Sequence, residues 1–231
     1  MNIFIIHHTP LKERKEYITK KFSEMDIEIN WIENFLPEEI SQKDKDRVNV
    51  DSKDWPREHW PVGRGMTIGQ LSNFLKHEYC INLQCQNKYD VMFVFEDDVN
   101  LDNINIPIKK YIEDVYDEFK NSNLDICVVA THDNKKANIM YPDKIIQPVF
   151  NDYTRCIHAI LFKLHAAKII KENLKEINFN FDFQLNQIIK NKKLTIGWAE
   201  PGLTQLTNDG LWESSNSSEI YPDEFLPKEA K

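Results

Sequence analysis

Val91-Met92-Phe93-Val94-Phe95-Glu96-Asp97-Asp98-Val99 is the stretch whose reading decides the fold. Five apolar residues in succession, without alternation, describe a strand covered on both faces, which is the habit of a sheet with helices on either side. In an open α/β sheet, ligands bind at the carboxyl ends of such strands, and here that end carries three carboxylates. Adjacent like charges repel, and the repulsion persists only where a cation, protons or solvent relieve it. A hard divalent ion with oxygen ligands answers that need and leaves positions open for substrate phosphates. Glu96, Asp97 and Asp98 are therefore the candidate metal ligands, set against the plain alternative of a solvated acidic turn. Two sharper alternatives fail on spacing. Asp98-x-Asn100-x-Asp102 begins like an EF-hand loop, but Asn103 stands where its glycine belongs and Lys109 where its bidentate glutamate belongs. An aspartyl-phosphate phosphatase needs Asp-x-Asp, and the first member here is Glu96.

Outward from this strand, the chain reads as one α/β unit spanning residues 1–231, with a polar tail from about residue 208. A chain of this length buries roughly 70–75% of its unfolded surface and needs no disulfide or structural metal. Residues 2–6 form a second buried strand, and a charged amphipathic helix follows over 12–25. Further strands are expected at 27–32, 124–130, 156–162 and 194–199, with helices at 68–83, 108–119, 164–174 and 182–190. Strands alternating with helices point to a layered fold around a mainly parallel sheet. Residues 37–63 form a long polar loop holding Trp55 and Trp60, a length typical of flaps and mobile segments. Thr67-Ile68-Gly69-Gln70 has the form of a capping box, and Gln70, Asn73 and His77 fall on one helical stripe.

Composition removes several function classes. With 29 Lys+Arg against 37 Asp+Glu the net charge is −8, which argues against a nucleic-acid partner or an anionic membrane surface. No apolar run approaches the ~20 residues of a transmembrane segment. Residues 1–8 lack the basic start of a signal peptide, so the expected setting is the cytoplasm or the cytoplasmic face of a membrane. Cys80, Cys85, Cys127 and Cys156 have no zinc spacing and read as small buried hydrophobes. Gly63, Gly65 and Gly69 fail the dinucleotide fingerprint at Ile68, and no phosphate-binding Gly-Lys-Ser/Thr is present.

The acidic strand, preceded some twenty residues earlier by Thr67-Ile68-Gly69-Gln70-Leu71-Ser72-Asn73-Phe74-Leu75-Lys76-His77, resembles glycosyltransferase family 25. That family's pattern runs Gly-Glu-x-Gly-Cys-x-x-Ser-His and then a hydrophobic strand ending Glu-Asp-Asp. Gly69, His77 and the acidic motif fit. Gln70, Ser72, Asn73 and Lys76 depart from the pattern, replacing Glu, Gly, Cys and Ser. Ala159 to Ile170 is similar to the family's strand and following helix, with His165 in place of a glycine, and Pro201 and Gln205 resemble a proline and glutamine near its end. The resemblance implies a GT-A-like α/β/α sandwich, inversion at the anomeric carbon, and Mn²⁺ (or Mg²⁺) as the ion. It implies a UDP-hexose donor, UDP-galactose or UDP-glucose, and a glycan or protein acceptor.

Such a reaction needs the departing diphosphate neutralised, the acceptor hydroxyl deprotonated and water kept out. The metal ligands would be Asp98 with Asp97 and Glu96. The helix start at Thr67, Gly69 and Gln70 would add backbone donors for the diphosphate. Asp182 resembles the family's third acidic site and is the first candidate base, with Glu200 second; the plain reading of Asp182 is a helix cap. His7, His8 and Thr9 end the first strand, near Arg14, and are expected at the donor; His8, Thr9 and Arg14, with His77 and Gln205, complete the donor-binding set. His158 is a weaker candidate, and Trp198 and Trp212 flank the acceptor unless they are simply core. Two other functions compete. A degenerate relative would bind glycans without turnover, which the departures at Gln70, Ser72 and Lys76 favour. A sugar nucleotidyltransferase would need a glycine-rich amino-terminal loop, and no glycine precedes Gly63.

Overall fold

In a computed structural model, residues 1–49, 66–130, 136–150, 154 and 157–206 are described. The outer part of the long loop with Trp55, Trp60, Gly63 and Gly65, and likewise Cys156, Trp212 and the polar tail, lie outside them. The amino-terminal half of the sheet consists of β1 (Ile3–Ile6), β2 (Asn30–Ile32) and β3 (Val91–Glu96), with β1 central and parallel to both. Helices α1 (Lys12–Glu24) and α2 (Gln42–Lys45) lie between β1 and the long α3 (Ile68–Asn87), which leads into β3. After β3 come β4 (Val99–Asn100), α4 (Ile108–Asn121), β5 (Ile126–Ala130), β6 (Ile146–Val149) and β7 (Ala159–Lys163). The remaining elements are α5 (Leu164–Glu172), α6 (Phe181–Lys192) and β8 (Ile196–Gln205).

Strand order across the sheet is β2-β1-β3-β7-β5-β8-β4, with β6 also on β8. The α/β sandwich expected from the sequence is present, and its sheet is mixed. β7 runs antiparallel between β3 and β5, and β4 and β6 are antiparallel to β8, whereas β5 and β8 are parallel. Alternation along each strand sorts side chains into two layers. Phe4, Met92, Val94, Val128 and Ile160 pack beneath α3, α5 and α6. Ile5, Phe93, Phe95, Val129 and Leu161 pack against Ile18 and Phe22 of α1 and Tyr111, Val115 and Phe119 of α4. Burial on both faces is thus what the uninterrupted apolar run of β3 encodes.

The capping box forms as its sequence requires: Gln70 N–H donates to Thr67 Oγ1 (3.2 Å) and Thr67 N–H to Gln70 Oε1 (2.9 Å). α3 extends four residues past its expected end and stops where Lys88 takes a left-handed conformation, φ 57°. β6 was not expected, because four residues containing Pro148 carry no strand signal of their own. What holds that edge is tertiary: the fully buried Gln147 side chain accepts from Met140 and Tyr141 N–H and donates to Tyr141 and Lys144 carbonyls. None of the described helices is long and apolar enough to cross a membrane.

Gly197 of β8 sits where a Cβ would come within 2.5 Å of Leu124 Cδ1 and 2.7 Å of Ile146 Cγ2. Gly197→Ala is expected to cost about 1–2 kcal/mol by overpacking, net of the small entropic gain from losing a glycine. Urea denaturation of the two proteins checks this, and an unchanged midpoint would show that the β5–β8–β6 seam repacks freely.

Candidate active site

β3 delivers Glu96 to the end of the sheet, and the chain turns through Asp97 and Asp98 into β4. The three carboxylates are largely sheltered from solvent, with side-chain exposures of 15%, 8% and 12%. Removing three adjacent negative charges from water is prohibitive without compensation. Each carboxylate meets a different set of partners.

Glu96 is held from two sides. Its Oε1 accepts from Asn73 Nδ2 and His77 Nε2, both at 2.9 Å, and its Oε2 from His158 Nδ1 at 3.0 Å. His77 is itself fixed by stacking on Phe181 of α6, ring centroids 4.4 Å apart and planes 8° from parallel. Burial acts to raise the Glu96 carboxyl, but the hydrogen bonds and charges of His158 and His77 outweigh it and hold the group well below its usual range. Asp97 is bound by as many donors. Oδ1 accepts from Arg14 Nη1 (2.8 Å), and Oδ2 from His7 Nδ1 (2.6 Å) and the His8 N–H (3.1 Å). Burial again opposes, and His7 and Arg14 again prevail, so its carboxyl is also lowered.

Asp98 differs. Gln205 Nε2 donates to its Oδ2 at 2.7 Å, whereas the buried Oδ1 has no hydrogen-bond partner among the described residues. Its nearest basic groups among the described residues are His158 Nδ1 at 3.5 Å from Oδ1 and Arg14 Nη1 at 3.6 Å from Oδ2. Burial pushes this carboxyl above its usual value; His158 pulls it down, and the charges of Glu96 and Asp97 push it further up. Glu96, Asp98 and His158 each offer a ligand atom, all within 4.8 Å of one another. Two carboxylates and an imidazole around an orphaned buried oxygen suit a divalent ion such as Mn²⁺. Asp97, also expected to help hold that ion, is not one of the three; its oxygens, like those of Glu96, accept from protein donors.

The three carboxylates line a cavity of about 150 Å³ whose other walls include His8, Arg14, Gly69, Ser72, Asn73 and Lys76. Gly69, Ser72, Asn73 and Lys76 are spaced i, i+3, i+4, i+7 and share one face of α3. The stripe expected from sequence was Gln70, Asn73 and His77; of these only Asn73 lines the cavity, because Gln70 closes the helix cap and His77 turns to Glu96. Thr67 likewise serves the cap, and Thr9 lies in the half-buried turn between β1 and α1. Asp182, in the first turn of α6, is an electrostatic neighbour of Glu96 and His77. Burial raises its carboxyl, the Phe183 N–H lowers it, and the charge of Glu96 raises it further. Glu200 sits in β8, where its Oε1 accepts from Ala137 N–H and holds the segment before β6; it does not line the cavity. Trp198 is half-buried against the core on β8.

His158, the weaker candidate in the sequence, is brought to the site by the antiparallel direction of β7. A reversed strand brings its first residues, not its last, to the end of β3, and the Glu96 N–H donates to the His158 carbonyl at 2.7 Å. His7 is fully buried on Asp97, while the neighbouring His8 side chain lines the cavity, as alternation along a strand dictates.

Glu96 and Asp97 titrate below their usual 4.5 and 3.8, so the unfolded chain takes up protons first as pH falls. Their stabilisation is full above those values and is lost as pH drops through the lowered folded values; the raised Asp98 carboxyl contributes with the opposite sign. Urea midpoints are expected to fall between about pH 5 and about pH 3, with a shallower dependence in Glu96→Gln. Equal slopes in both proteins would show that Glu96 is not what links the fold to acid.

No curated protein matches the chain. Among solved structures, the crystal structure of A197 from STIV is similar at 12% identity and a TM-score of 0.40, covering 86% of this chain and 81% of that one. The family described as glycosyltransferase family 25 (LPS biosynthesis protein) matches residues 1–185. That span contains the acidic turn, the α3 face, His158 and Asp182, and on it the chain belongs to glycosyltransferase family 25.

Proposed function

We propose that this glycosyltransferase moves a hexose from a UDP-hexose donor to a hydroxyl of a glycan or protein acceptor, with inversion and with Mn²⁺ or Mg²⁺. The observation that carries the reading is the orphaned, buried Asp98 Oδ1 on the cavity wall. Asp98, with Glu96 and His158, would hold the ion, which supplies charge neutralisation for the departing diphosphate. Asp97 anchors β1 and α1 to the acidic turn and so sets where Asp98 points. The first turn of α3 reaches the cavity at Gly69, where a Cβ would find no atom nearer than Thr67 Oγ1 at 4.0 Å, leaving room for an anion beside the backbone. Asp182 takes the proton of the acceptor hydroxyl. Its raised carboxyl makes it a stronger base than an ordinary aspartate, and it neighbours Glu96 and His77 without itself lining the cavity.

Thermal shifts with nucleotides and nucleotide sugars, with and without Mn²⁺, test the donor class, since a specific ligand stabilises by mass action. The expected result is a UDP-specific, ion-dependent shift that Asp98→Asn removes. Asp182→Asn is expected to lower kcat by roughly 10²- to 10⁴-fold with little change in donor affinity. An Asp98→Asn enzyme with undiminished transfer would overturn the ion assignment, and an Asp182→Asn enzyme with unchanged kcat would leave Asp182 as a structural acid in the first turn of α6, whose N-cap is Asn180. One observation favours a second reading. The cluster is compensated by its own Arg14 and histidines, as a binding protein without turnover would require; donor binding with neither transfer nor hydrolysis would establish that reading.

A further inference from the structure

Lys76 is a buried cation that the reaction as described leaves unused. It is 3% exposed, lies on the cavity-lining face of α3, and lines the same cavity as Asp98. An ammonium carries three donors and no acceptor. Among the described residues the Nζ of Lys76 donates once, to the His7 carbonyl at 2.8 Å, and no carboxylate approaches it within ion-pair distance. The other strong cation of the cavity, Arg14, is by contrast committed to Asp97. Burial lowers the Lys76 ammonium from its usual value, and Asp97, Glu39, Glu33 and Glu38 act against that from a distance. A lysine kept in the wall of a polar cavity at this desolvation cost, with donors to spare, has the chemistry of an anion contact.

We infer that Lys76 contacts the diphosphate of the donor, as the protein's own cation on the wall formed by α3. The inference rests on the nucleotide-sugar reading of the cavity and adds a contact to it. It also gives Lys76 a role distinct from tying α3 to the end of β1 through the His7 carbonyl, which a neutral donor performs equally well.

Calorimetric titration of the full chain with UDP, UMP and inorganic pyrophosphate, each with Mn²⁺ and with chelator, separates the two roles. Lys76→Met is expected to weaken UDP and pyrophosphate about ten-fold or more while UMP changes by no more than about three-fold. Lys76→Arg is expected to restore most of the loss. Lys76→Gln keeps a donor for the His7 carbonyl without the charge, so it serves if Lys76→Met fails to fold, and the same selective loss is expected. A folded Lys76→Gln or Lys76→Met protein with the wild-type ratio of UDP to UMP affinity overturns the inference alone. Wild-type protein that binds neither UDP nor pyrophosphate overturns the nucleotide-sugar reading and the inference together.

Discussion

The constraint on which the rest of the structure depends is electrostatic. Three consecutive carboxylates leave a strand buried on both faces, in a region where an uncompensated charge is not tolerated. Compensation has to come from elements distant in sequence, and it does. Arg14 and His7 arrive from α1 and the end of β1, 83 and 90 residues from Asp97. Asn73 and His77 arrive from α3, His158 from the start of β7, and Gln205 from the end of β8. The acidic turn is therefore where the layers are tied together at one end of the sheet, and its geometry is settled only when the whole fold is.

Compensation is unequal, and the inequality assigns the roles. Asp97 is satisfied on both oxygens and behaves as an anchor. Glu96 is satisfied by two histidines and an asparagine, and links the α3 face of the sheet to β7. Asp98 alone keeps a buried oxygen without a hydrogen bond. A cluster built only for stability would have no reason to leave that group unmet, since an unsatisfied buried acceptor costs about 1–3 kcal/mol, more when charged. The unmet oxygen is what separates a candidate ion site from a well-buried salt-bridge network.

Much of the fold was legible because it is local. The continuous apolar run of β3, the capping box of α3 and the amphipathic α4 each follow from a few adjacent residues, and each formed where expected. What was not legible is non-local. Nothing in residues 159–163 distinguishes a parallel from an antiparallel strand, because either is buried on both faces; the direction of β7 nevertheless decides that His158 reaches Glu96. The edge strand β6 depends on Gln147 and on its pairing with β8, not on its own sequence. At the site, Glu96, Asp97 and Asp98 were found together, as were their partners Arg14, His77 and Gln205. Their division of labour was hidden, since Asp97 and Asp98 are chemically identical in the sequence and differ only in which donors the fold brings to them.

The same compensation bears on how a diphosphate would be held. Among the cavity's side chains three carboxylates stand against one guanidinium and one ammonium, an excess of acidic groups before any donor enters. A nucleotide-sugar diphosphate carries two negative charges of its own. Lys76 lessens the mismatch without removing it, and Arg14 cannot be redirected to phosphate without stranding Asp97, a loss of the order of the 3–5 kcal/mol typical of a broken buried pair. On the proposed reading, a divalent ion held at Asp98 would offset that excess of negative charge. On that reading the Lys76 ammonium and the ion would be complementary, each adding positive charge to a cavity whose side chains are mainly acidic.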